Sequence, residues 1–227
     1  MSKKILVIAA HPDDEILGVG ATIAKHVQYG DSCTALILGE GMTSRYDKRD
    51  LADTSKLEEL HKDTFQAGKI IGYEKVYLEN LPDNRFDSVD LLDIIKIVEK
   101  YIDKIKPDII YTHHGGDLNV DHRKTYEAVL TATRPIESDC VKEIYCFETV
   151  SSTEWNFEYS NLFVPNYFVD ITETLESKLK AMKYYKSELR NFPHPRSIDN
   201  LIASAKKWGS VVGKKYVEAF EVIRIIK

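Results

Sequence analysis

Apolar and polar positions along this chain follow two rhythms that take turns. Residues 3–10 form a continuous apolar run, the pattern of a strand buried on both faces. Residues 15–29 switch to helical spacing and stop at Gly30. Residues 33–38 predict a second apolar strand, followed by Gly39-Glu40-Gly41. Asp53-Thr54-Ser55 opens a helix that runs through Ile71 and closes on Gly72, a suitable residue for a left-handed terminus. Residues 75–78 predict a short strand. From Ser88, Leu91, Leu92, Ile94, Ile95, Ile97 and Val98 build a broad apolar helix face, which Pro107 ends. Residues 108–112 predict a fourth strand, 122–133 a helix and 141–148 a fifth strand.

This alternation predicts an α/β fold: a mostly parallel sheet with helices on both faces, Rossmann-like once crossovers are right-handed. The rhythm changes after residue 150. Residues 151–166 read as a polar and aromatic loop, 167–171 and 216–226 as strands, and 172–190 and 197–212 as helices. Gly18-Val19-Gly20 falls inside the first predicted helix, where small residues suit close packing on a sheet, and no GxGxxG dinucleotide loop is present. With no internal repeat and no low-complexity stretch, residues 1–227 read as one domain. Its core is 1–150, and 151–227 form a C-terminal α+β elaboration.

Composition narrows the function. The chain has 227 residues, 43% of them hydrophobic, enough for a sizeable core. A net charge of -5 offers no basic field for nucleic acid. The apolar runs are too short to span a membrane, and the N-terminus leads straight into a strand, with no room for a signal peptide. Cys33, Cys140 and Cys146 are odd in number and read as reduced structural residues. Together these features predict a cytoplasmic protein.

In open α/β sheets the ligand crevice lies beyond the carboxyl ends of the strands. His11-Pro12-Asp13-Asp14-Glu15 follows the first strand there, Gly39 to Arg45 the second, and "HHGGDLNVDH" the fourth, with His113, His114, Asp117, Asp121 and His122. A His/Asp/His set with one open position suits catalytic zinc. His11 and Asp14 are close enough in sequence to share an ion, and Asp13 is a carboxylate placed to take a proton from activated water. The competing reading is a helix start, in which Asp residues cap and Glu15 complements the dipole.

At these residues the chain resembles the LmbE-like, or PIG-L, zinc-dependent deacetylases. Ala10 to Glu15 matches the first motif, Ala-His-Pro-Asp-Asp-Glu, and Asn119-Val120-Asp121-His122 matches the second, usually His-Pro-Asp-His. The likeness extends through "GEGMTSR" and "LPDNRFDSVDLL". The resemblance implies that His11, Asp14 and His122 ligate zinc and that Asp13 is the general base. The reaction it implies removes the acetyl group from an N-acetylglucosamine-type sugar or conjugate. Fe²⁺ or Co²⁺ can use similar ligands.

The resemblance has one departure. Asn119 stands where the family has a histidine that donates a proton or stabilises the oxyanion, and an amide supplies no proton at neutral pH. Candidates for the acid are Asp13 itself once protonated, His114, and His194 in "NFPHPRS". His113 is read as the strand end and His114 as the pocket residue. Asp121 is a candidate to orient a ligating histidine, and Glu15 to begin the helix and support the metal ligands. Substrate contacts are expected from Arg45, Asp83, Asn84, Asn119 and Arg196. Arg45 has the alternative of a solvated charge, the turn at 83–85 that of an ordinary turn, and His194 that of a surface turn. Trp155 and Phe157 suit either a sugar face or packing against the domain or another subunit, which keeps a homo-oligomer open. Two further functions stay open: hydrolysis of a non-sugar N-acyl amide, and a metal- or carbohydrate-binding protein without turnover.

Overall fold

A computed structural model describes residues 2–136 and 140–227. Seven strands form one mixed sheet: β1 (Lys4–Ala9), β2 (Ser32–Gly39), β3 (Lys75–Leu81), β4 (Ile109–His113), β5 (Glu143–Phe147), β6 (Tyr167–Asp170) and β7 (Val217–Ile225). Their order is β3-β2-β1-β4-β5-β7-β6. The first five are parallel, as the βα alternation requires, and β7 and β6 extend the sheet antiparallel. The order reverses between β1 and β4, which pair with Ile5 opposite Ile109 and Val7 opposite Tyr111. Beyond their carboxyl ends such a reversal leaves a crevice.

The helices are α1 (Asp14–Leu17), α2 (Gly20–Gln28), α3 (Thr54–Ile71), α4 (Leu91–Ile105), α5 (Val120–Ala132), α6 (Leu175–Met182) and α7 (Ile198–Val212). Strand residues alternate between two cores because successive side chains leave opposite faces of a sheet. Leu6, Ile8, Leu36 and Ile110 meet Ile94, Val98 and Ala128 of α4 and α5. Ile5, Val7, Ala35 and Tyr111 meet Ile23, Ala67, Leu179 and Leu201 on the other face. No helix among the described residues is long and apolar enough to cross a membrane. All three cysteines are free.

Three expected elements differ. The helix expected over 15–29 is broken at Gly18-Val19, where Val19 has φ -142°. A β-carbon on Gly18 would lie 2.1 Å from the Phe147 ring, so the glycine permits the close approach of β5 rather than packing within one continuous helix. The helix expected over 172–190 is only Leu175–Met182, and turns follow it up to Ser197. The fifth helix begins two residues early, at Val120, because Asn119 caps it: its side-chain oxygen accepts the Asp121 amide at 2.8 Å.

Candidate metal centre and active site

Three loops meet at the switch point. After β1 the chain turns at Asp13, whose φ of 108° is rare for any residue but glycine and costs of order 1–3 kcal/mol. The turn is held because the Asp13 amide donates to Glu15 Oε2 at 3.0 Å, while the Tyr185 hydroxyl donates to Glu15 Oε1. Burial pushes the Glu15 carboxyl up to about 7. Glu15 therefore sits behind the turn, not in the cleft.

The turn brings Asp14 between two imidazoles. Asp14 Oδ2 lies 3.3 Å from His11 Nδ1 and 3.2 Å from His122 Nε2. All three groups are packed against the cleft at the switch point. In a tetrahedron with metal–ligand bonds of about 2.0–2.1 Å, ligand atoms stand about 3.3 Å apart, so the set fits one divalent ion. Each ring also has a carboxylate behind it. Asp121 Oδ2 is 2.8 Å from His11 Nε2, and Asp117 Oδ1 is 3.1 Å from His122 Nδ1. Such partners fix the ring orientation of ligating histidines and raise their basicity. A second close set, His11 Nε2 with Asp83 and Asp121, shares the same ring. Its carboxylates are already engaged: Asp121 accepts the amides of Asn84 and Phe86, and Asp83 accepts the Ser44 amide and hydroxyl. Asp121 braces the His11 ring from behind, and Asp83 stands in the cleft wall.

The electrostatics follow from burial. Burial opposes charge on His122, but Asp14 and Asp117 outweigh it and raise the imidazole to about 9 in the metal-free protein. Asp14 moves the other way: burial opposes its charge, yet His122 and His113 hold its carboxyl well below the usual range. Burial and the neighbouring Asp14 push Asp13 well above that range, and Arg196, whose Nη1 donates to Asp13 Oδ2 at 3.2 Å, pulls it partly back.

The two adjacent histidines at the end of β4 reverse the expectation drawn from sequence. His113 stacks on His122 with ring centroids 3.9 Å apart and lies 3.5 Å from Asp14. Its Nε2 accepts the Ala10 amide, which assigns the ring proton to Nδ1, facing Thr149 Oγ1. Burial, with the charge of His122, lowers it to about 3, so it stays neutral. His114 points to the opposite face, where Nδ1 meets Glu221 at 2.6 Å and Nε2 meets the Asn161 carbonyl. It does not line the cleft. A strand end alternates its faces, and the register places the first histidine, not the second, on the site.

His194 also lies outside the cleft lining. Its Nδ1 accepts the Arg196 amide, and its ring meets the edge of Trp155 at 6.3 Å, so it braces the loop that carries Arg196. Arg45, Asp83, Asn84, Asn119 and Arg196 do line the cleft. Asn119 is engaged through both polar atoms: its oxygen caps α5 and its nitrogen donates to Asn84 Oδ1 at 2.9 Å. Trp155 and Phe157 are exposed and outside the lining.

Four contributors are not singled out by the sequence reading. Asp117 was one of several acids in its loop. Its carboxylate also accepts the hydroxyls of Ser152 and Thr153, and it stays ionised: burial opposes this, but His122 outweighs it and lowers Asp117 to about 2. Ser151 and Ser152, after β5, line the cleft. Glu188 bridges Arg45 and Arg196. No local pattern marks Glu188, since its partners stand 143 and 8 positions away.

A His–Asp–His set beside a further carboxylate, in a cleft at the switch point of a parallel sheet, is the equipment of a metal-dependent hydrolase. Comparison with known proteins gives the particular family. The chain belongs to the GlcNAc-PI de-N-acetylase (PIG-L) family, whose pattern matches residues 6–133, more than half of its length. It is 31% identical to the uncharacterized deacetylase YaiS of Escherichia coli over 82% of this chain and 91% of that protein. It is 26% identical to the diacetylchitobiose deacetylase of Thermococcus kodakarensis over 97% of this chain and 83% of that one. In fold it superposes on the conserved protein TT1542 of Thermus thermophilus with a TM-score of 0.79 at 20% identity, covering 99% and 96% of the two chains.

Proposed function

We infer that the chain is a zinc-dependent hydrolase that removes the acetyl group from an N-acetylglucosamine-type sugar or sugar conjugate. The observation that carries this is the spacing of His11 Nδ1, Asp14 Oδ2 and His122 Nε2 in a cleft that Asp13 also lines. The family match and the diacetylchitobiose deacetylase among the relatives support the substrate class.

A divalent ion held by these three groups would polarise the amide carbonyl and make a water easier to deprotonate. Asp13 takes that proton. Its buried carboxyl, pushed above the ordinary range, is suited both to accept a proton and to give one back. Arg196 fixes the Asp13 side chain from the opposite wall. The same carboxyl then returns the proton to the leaving nitrogen, because Asn119 is occupied as a cap and His114 and His194 are outside the cleft. His113 remains neutral and supports the His122 ring by stacking.

The cleft holds about 220 Å³, below the roughly 300–1,000 Å³ of pockets for drug-sized ligands. It takes the reacting acetamido group and its ring, and an aglycone extends through the open mouth. Acetate release from N-acetylglucosamine and N,N'-diacetylchitobiose tests the reading. Activity is expected to vanish with a chelator and return with Zn²⁺. No acetate from either sugar, with one metal bound per chain, would contradict it.

A further inference from the structure

The cleft wall opposite the metal set bears on which sugars enter. Two guanidinium groups line it, Arg45 and Arg196. A site that reads a phosphate or carboxylate presents such groups with their charge free for the ligand. Here a single carboxylate takes both. Arg45 Nη2 donates to the two oxygens of Glu188 at 2.6 and 2.7 Å, and Arg196 Nη1 donates to Glu188 Oε2 at 2.8 Å. Glu188 is only 5% exposed, and the Ser187 hydroxyl donates to it as well, so its position is fixed. Arg196 is further committed to Asp13.

The rest of the lining adds no cation outside the metal set. Asp13, Asp14 and Asp83 contribute carboxyl groups, and Ser44, Asn84, Ser151 and Ser152 contribute neutral donors and acceptors. Hydroxyls and amides complement sugar hydroxyls, whereas an anionic group would meet several carboxyl groups and two guanidiniums that each already donate through one nitrogen to Glu188, Arg196 keeping a buried Nε without a partner.

We propose that Glu188 sets specificity: by pairing with Arg45 and Arg196 it restricts the site to uncharged N-acetylhexosamine glycans and disfavours those with an anionic aglycone. This rests on the de-N-acetylase reading and adds the charge class of the substrate. Glu188 and Arg196 lie beyond residues 6–133, so the family pattern does not fix the device.

The test uses the metal-loaded full chain and a matched pair of probes, N,N'-diacetylchitobiose and its 1-phosphate, with kcat/KM measured by acetate release. The wild type is expected to favour the neutral probe at least tenfold. Glu188→Gln frees Arg45 and is expected to shift the ratio toward the phosphate by about tenfold or more, mainly through KM, as befits a charge-assisted contact. Adding Arg45→Ala to Glu188→Gln is expected to remove that gain. A wild type that prefers the phosphate, or a ratio unmoved by Glu188→Gln, overturns the proposal. The wild-type ratio decides alone should the variant fail to fold. No acetate from either probe overturns the de-N-acetylase reading, and the proposal with it.

Discussion

The two walls of the cleft are built differently. The first comes from the ends of β1 and β4, and its side chains are held by rigid backbone. Asp14 accepts the His11 amide, Asp121 accepts two more amides, and Asn119 caps the helix that carries His122. The second comes from the turns after α6 and the loop after β2, and the side chains Arg45–Glu188–Arg196–Asp13 tie these segments together. The first wall lies within the family match, whereas Glu188 and Arg196 of the second lie outside it and Arg45 inside. The difference separates two tasks. Ligand geometry must hold within tenths of an ångström and belongs on strand ends. Substrate selection rests on charge pairing and can sit on a segment free to vary.

That division can be broken experimentally, most severely at the first wall. His122→Ala or Asp14→Ala is expected to lower bound metal from one per chain to near zero by elemental analysis, and turnover with it. Asp13→Asn is expected to keep the metal while kcat falls by about 10²–10⁴-fold, the usual contribution of a general base. Asp117→Asn and Asp121→Asn act through the rings they brace and are expected to weaken metal affinity about 10–100-fold in a chelator competition.

Acidity sharpens the same wall. Below about 9 the metal-free His122 carries a proton that an incoming ion must displace. His11 carries a second such proton, because burial opposes its charge but Asp121 and Asp14 outweigh it and hold it well above the usual imidazole range. Metal affinity is therefore expected to fall as pH falls below 9, by at least about tenfold per unit. An affinity flat from pH 6 to 9 would contradict the placement of His122. The smallest effect on catalysis is expected at His114. His114→Ala removes the imidazole that joins Glu221 to the Asn161 carbonyl, leaving Glu221 the Val164 amide, and is expected to cost about 1–3 kcal/mol in a denaturant titration, with kcat/KM little changed. A large loss of kcat at unchanged stability would return His114 to the site.

Much of the first wall was legible in the sequence because its signals are local. Apolar runs placed β1 and β4, and the loops after them had to meet at the switch point. His11, Asp13, Asp14 and His122 were legible as a motif, and the structure brings them together. What failed was orientation. Which of His113 and His114 packs against the metal ligands depends on a one-residue register, which two adjacent histidines do not reveal. The second wall was half hidden. Arg45 and Arg196 stood out as charged residues on loops, but Glu188 fell in a stretch that reads as helix by its spacing and is turn in the fold. Its importance comes from pairing with residues 143 and 8 positions away, a contact that no sequence period encodes.

The central claim is that one divalent ion at His11, Asp14 and His122 works with Asp13 to hydrolyse an N-acetyl group. The most direct measurement is metal content and acetate release from N,N'-diacetylchitobiose, taken on the same samples of wild type and Asp13→Asn. The account predicts one equivalent of metal in both proteins and acetate from the wild type alone. Full activity in Asp13→Asn, or a metal-free wild type that still releases acetate, would contradict it.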